Sequence, residues 1–207
     1  SGPLRFISHN DLLNLLRRIF NRAGLRVEFS AGFHPKMLMT FAPALPLGMT
    51  ASREPFEFRS SFDLDPAESI DALNRKSPEG LEFLGLLPVP PDSPAFSASI
   101  RAMSYALDLN TDRVRTALRA ARAARGWEGA DAEIAERLIE SARPGLPLLV
   151  LDIRVDAAAA KVGLTIGWDP QKPVRPQDVA RDVLGVEGAV YAMSRESVDL
   201  GKLTARA

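Results

Sequence analysis

Residues 29–48, Phe29-Ser-Ala-Gly-Phe-His-Pro-Lys36 running into Met37-Leu-Met-Thr-Phe-Ala-Pro-Ala-Leu-Pro-Leu-Gly48, set two glycines and three prolines among apolar runs. No regular helix accommodates prolines at that spacing, because each removes a backbone donor and its ring crowds the preceding turn. Gly32 permits a positive φ, while Pro35 fixes its own φ and pushes His34 towards extended geometry. The stretch therefore reads as a shaped loop between short strand-like runs. It presents His34 and Lys36 from a constrained backbone, and the only other histidine of the chain, His9, lies nearby in sequence.

What flanks this loop is charged unevenly. The chain has 26 basic and 26 acidic residues. Residues 1–53, however, carry seven Lys/Arg against two acids, and residues 54–100 carry three against nine. A basic block thus precedes an acidic one. There is no cysteine, which excludes disulfides, thiol nucleophiles, Cys-ligated zinc and Cys-ligated iron–sulfur clusters. Two histidines make a His-rich metal site an unpromising reading, so no metal is expected. No apolar run reaches membrane-spanning length and no secretory signal is visible, which leads us to expect a cytoplasmic protein. The start at Ser1-Gly2-Pro3 is expected to be a processed or truncated end.

Along the chain, Leu4–Ile7 reads as a strand and Ser8-His9-Asn10-Asp11 as a capping box opening a helix. Leu12, Leu15, Leu16, Ile19 and Ala23 recur at helical spacing up to Gly24. Strands are expected at 25–30, 37–42, 56–62 and 81–86, with a helix capped by Asp65 and ending before Pro78. Pro88-Val-Pro-Pro-Asp-Ser-Pro94 is the best linker. Beyond it come a strand at 100–109, helices at 112–126 and 130–141, strands at 148–155 and 161–168, a helix at 176–184 and a strand at 189–200. That order is β-α-β-β-α-β with an inserted helix, and the first half has nearly the same order. An α+β fold of two tandem ferredoxin-like units with antiparallel sheets, over residues 1–92 and 98–207, is the economical expectation. A single mixed α+β domain is the alternative.

Imidazole titrates near neutrality and lysine is a compact cation, so His34 and Lys36 suit proton transfer or anion binding. The plainer reading is a loop histidine in solvent. His9 sits at a helix start, where free N–H groups favour an anion. A phosphate held between His9, His34 and Lys36 is the candidate site, with Arg5, Arg17 and Arg18 extending it; for Ser8 and Asp11 capping is the better reading, and a solvated face explains Arg17 and Arg18 almost as well. Phe33, inside the loop, is the one phenylalanine suited to stacking on a base or a partner. Arg115, Arg119 and Arg122 form a second basic ridge on an Ala/Arg-rich helix. No Walker loop, dinucleotide fingerprint, HExxH or G-x-S-x-G elbow is present.

Leu4-Arg-Phe-Ile-Ser-His-Asn-Asp-Leu-Leu13, Arg22-Ala-Gly-Leu25, Phe29-Ser-Ala-Gly-Phe-His-Pro-Lys36 and Phe41-Ala-Pro-Ala-Leu-Pro-Leu-Gly48 together resemble the bacterial radical-SAM-linked domain of unknown function 2344, mainly over residues 2–62. The resemblance implies a companion of a radical SAM module, fused or separate. The iron–sulfur cluster and S-adenosylmethionine would then belong to that partner, with no cofactor in this chain. The leading expectation is a non-catalytic accessory module that contacts RNA or another phosphate-bearing substrate. The alternatives are a metal-independent RNA endonuclease with His34 as catalytic residue, by fold analogy only, and a protein–protein scaffold.

Overall fold

The computed structural model describes residues 2–201. The chain divides into two compact units. One comprises the residues up to Leu47 together with Pro55–Ile100, and the other Gly48–Glu54 together with Arg101–Asp199. The fold is mixed α+β, with one antiparallel sheet and one mixed sheet among the described residues.

The first unit opens on a 3-10 turn, Gly2–Phe6, where a strand was expected. Pro3 fixes a helical φ there, and the turn closes through Ile7 N–H to Leu4 O at 3.3 Å. Helix α1, His9–Ala23, follows the anticipated boundaries. Ser8 Oγ accepts from the Asp11 amide at 3.2 Å and donates to Asp11 Oδ2 at 2.7 Å, so Asp11 steadies the cap through the hydroxyl. Gly24 ends the helix at φ 75°. Ser8→Ala is expected to cost about 1 kcal/mol in a denaturant titration, the usual worth of such a cap.

Strands β1, Met39–Phe41, and β3, Phe56–Phe58, form an antiparallel pair, with β2, Thr50–Ala51, between them in sequence. Helix α2, Pro66–Asn74, is capped by Asp65, which accepts from the Glu68 amide at 2.8 Å. The expected strands at 25–30 and 81–86 do not form. Of the first there remains the bridge Phe29↔Met37, with Glu28 N–H donating to Arg59 O at 2.9 Å and Glu28 O accepting from Leu38 N–H at 2.8 Å. For the second, the Asn74 side chain takes both backbone groups of Phe83, at 2.8 and 3.0 Å, in the place of a neighbouring strand. The first unit therefore has a two-stranded sheet instead of the expected ferredoxin-like one. Its core is Leu16, Ile19, Phe20, Leu25, Val27, Leu73 and Phe83. Phe20 meets Phe58, Phe83 and Phe56 edge-on at 5.1, 5.9 and 6.2 Å. A short helix α3, Phe96–Ser99, not expected from sequence, closes the unit.

The second unit runs β4 (Ala102–Asp108), α4 (Asp112–Arg125), α5 (Asp131–Ala142), β5 (Val150–Asp156), β6 (Lys161–Gly167), α6 (Pro176–Leu184) and β7 (Met193–Asp199). These match the expected elements closely, except that Ala189–Ala192 is a 3-10 turn before β7. The sheet order is β2-β7-β4-β6-β5, antiparallel throughout except for β2, which pairs parallel to β7. Along β4, Met103, Tyr105 and Leu107 alternate towards the core, with Leu164, Ile166 and Ile153 on neighbouring strands. Val179, Val183 and Leu184 of α6, Ile134, Leu138 and Ile139 of α5, and Val114 and Leu118 of α4 are buried as well.

Candidate functional site

The loop that follows Phe29 is braced at its base. Ser30 N–H donates to Lys36 O at 2.8 Å, and Lys36 N–H donates to Ser30 Oγ at 3.0 Å. Gly32 has φ 122°, a conformation that L side chains adopt rarely, so the turn depends on it. Everything from Ala31 to Lys36 is exposed, and the Phe33 ring is fully so, at 101%. The guanidinium of Arg17, on α1, lies over the Phe29 ring at 5.9 Å, which joins the helix to the foot of the loop. Arg17, Phe29, Phe33, His34 and Lys36 therefore belong to one neighbourhood. The side chains of Arg18, His34 and Lys36 make no hydrogen bond or ion pair among the described residues.

His9 is placed differently. Its ring stands edge-on to Phe41 at 5.7 Å, and Phe41 stacks on Phe56 at 5.2 Å. From Phe41 the chain runs back through β1 to Met37 and only then reaches Lys36, roughly 15 Å away at the rise of an extended chain. No hydrogen bond, ion pair or ring contact joins His9 to His34 or Lys36 among the described residues. The structure thus groups the loop with Arg17 and sets His9 at the far end of β1. Arg5 is half-buried with its guanidinium over Phe6 at 5.4 Å, and Arg26 lies over Phe62 at 4.8 Å.

The ridge on α4 is partly committed to internal contacts. Arg115 donates to Asn110 Oδ1 at 2.9 Å, and Arg122 pairs with Asp131 at 2.8 Å. Arg119 stays exposed, without an ion pair among the described residues. The neighbouring Arg125 joins Arg137 in flanking Trp127, at 5.3 and 5.7 Å. Two of the acids serve local backbone: Asp65 caps α2, and Asp156 Oδ1 accepts from the Ala159 amide at 2.9 Å.

Sequence reasoning missed the most buried charge in the second unit. Arg195, 1% exposed, points from β7 to the core side and binds Glu54 in a bidentate pair, Nε to Oε1 at 2.6 Å and Nη2 to Oε2. Its Nη1 and the Tyr105 hydroxyl each reach Met103 Sδ at 3.4 Å. Burial pushes the Tyr105 phenol up, against the opposing charge and hydrogen bond of Arg195. For Arg195 burial acts to lower the pKa, but the hydrogen bonds and charge of Glu54 outweigh it, and the guanidinium is held charged. Beside this pair, Ser52 and Ser194 both donate to Glu196, the former at 2.9 Å. The cluster fastens Gly48–Glu54 to the sheet edge.

A family model described as an uncharacterized protein conserved in bacteria (DUF2344) matches residues 1–150. The chain belongs to this family. The DUF2344 match ends at the first residue of β5, yet β5, β6 and β7 share a sheet with β4, so the folded second unit extends beyond the matched residues. No curated protein and no solved structure gave a match. No helix among the described residues is long and apolar enough to cross a membrane, and none of them form a group of three or more metal-binding side chains.

Proposed function

We propose that the chain is a non-catalytic binding module that contacts RNA or another phosphate-bearing substrate through the 30–36 loop and the adjoining face of α1, alongside a radical SAM enzyme that carries the cluster and S-adenosylmethionine. The observation that carries this reading is the grouping of Arg17, His34 and Lys36 around two exposed phenylalanines on a braced loop, with Arg18 next to Arg17 on the exposed side of α1. Cations free of internal acids are available to phosphates, and exposed rings beside them suit bases. The radical SAM context rests on the family resemblance. On the same footing, the 4-1-3-2 antiparallel order of β7-β4-β6-β5 supports a ferredoxin-like reading of the second unit.

Fluorescence anisotropy with labelled RNA at rising salt tests the reading. Three phosphate contacts from Arg17, Arg18 and Lys36 give a log–log slope between about −2 and −3. Lys36→Ala is expected to weaken binding and flatten the slope by about 1. Absence of binding at low salt, or binding indifferent to salt and to Lys36→Ala, overturns it.

A further inference from the structure

Phe33 holds an entire aromatic ring in water and so forgoes the roughly 25 cal/mol that covering would contribute for each Å² of its apolar surface. Its loop is nevertheless not slack. The two Ser30–Lys36 hydrogen bonds close it, Gly32 supplies the positive φ of the turn, and Pro35 stiffens the return. A ring presented on a preformed support loses little conformational entropy when it is covered. The cover must also match its surroundings, and those are cationic: Lys36 and His34 follow Phe33 in the same loop, and Arg17 sits at its foot over Phe29.

A planar, polyanionic ligand satisfies both conditions. The bases of a duplex are already stacked on one another and cannot lie on a protein ring, whereas unpaired bases can, and such stacking is sequence-tolerant. We infer that the ligand of this surface is single-stranded RNA, with an unpaired base stacked on Phe33 and the adjoining phosphates held by Lys36 and Arg17. This deepens the proposed function and rests on it.

The test compares a short fluorescein-labelled oligouridylate, alone and annealed to oligoadenylate, on the intact chain and on Phe33→Ala, Phe33→Trp and Lys36→Ala. The single strand is expected to bind more tightly than the duplex. Phe33→Ala should reduce single-strand affinity about tenfold or more while leaving the salt slope unchanged, and Phe33→Trp should restore it. Lys36→Ala should change the slope instead. Equal affinity for duplex and single strand, or Phe33→Ala binding as the parent does, overturns the stacking inference while the RNA-binding reading stands; in the latter case the ring is left for a protein partner. Failure of the intact chain to bind either probe overturns both. The ring makes no aromatic contact among the described residues, so an unchanged circular dichroism spectrum is expected for Phe33→Ala.

Discussion

Glu54→Ala is expected to lower the stability of the second unit by about 3 kcal/mol and its melting temperature by roughly 15 °C. Truncation leaves the Arg195 side chain, 2% exposed, without its bidentate carboxylate. The usual cost of stranding a buried charge is about 3–5 kcal/mol. The lower end applies because the Glu54 side chain is 34% exposed, so water can enter the vacated space and partly hydrate the cation. Replacing both partners, as in Glu54→Met with Arg195→Met, should return most of the loss, since the desolvation of both charges disappears with the pair. Hydrogen exchange gives a local readout. The Ser52 amide donates to Arg195 O at 2.9 Å, and its protection should fall in Glu54→Ala before that of the β4–β6 amides. A single variant that loses less than about 1 kcal/mol, within the range of an exposed ion pair, would show that β2 is held without the buried charge.

The elements legible in the sequence were those with local, self-contained signals. Helix α1 could be read from Ser8, Asp11 and Gly24, and α6 from Pro176 and Gly185, because caps act within a turn of the residues they cap. Strands β4 to β7 were legible through alternation and length. The misread strands at 4–7, 25–30 and 81–86 have suitable composition, but a strand exists only with a partner, and partners lie elsewhere in the chain. Asn74 shows how one side chain can take that partner's place. Strand β2 was invisible for the complementary reason, being two residues long and paired to β7.

The same distinction applies to the site. The Gly32–Pro35 loop and its exposed histidine and lysine follow from local backbone chemistry. That Arg17 rather than His9 stands at the foot of the loop depends on the Phe29↔Met37 bridge and on how α1 packs, which no spacing rule conveys. The Arg195–Glu54 pair, separated by 141 residues, left only one trace, an arginine on the inward face of a strand.

Phe20→Ala is expected to destabilise the first unit by about 4 kcal/mol, measured by urea denaturation, more than any other single truncation in its core. Phe20 is completely buried and is the hub of the aromatic cluster, with Phe56, Phe58 and Phe83 all edge-on to it. Truncation removes both the transfer free energy of a full ring and the ring–ring contacts, which add about 0.5–1.5 kcal/mol per pair beyond area. Collapse of the cavity is hindered because β1 and β3 are tied in register, Met39 to Phe58 and Phe41 to Phe56, and Phe83 is pinned by the Asn74 amide. Phe20→Leu keeps most of the volume and should cost roughly 1–2 kcal/mol. Phe33→Ala, at the opposite extreme of exposure, should stay within about 0.5 kcal/mol of the parent. The contrast separates the two uses of phenylalanine in this unit. A small loss at Phe20, comparable to that at Phe33, would mean that the first unit is not held by its aromatic cluster, and the braced loop would then lack the fixed base on which its presentation of Phe33 depends.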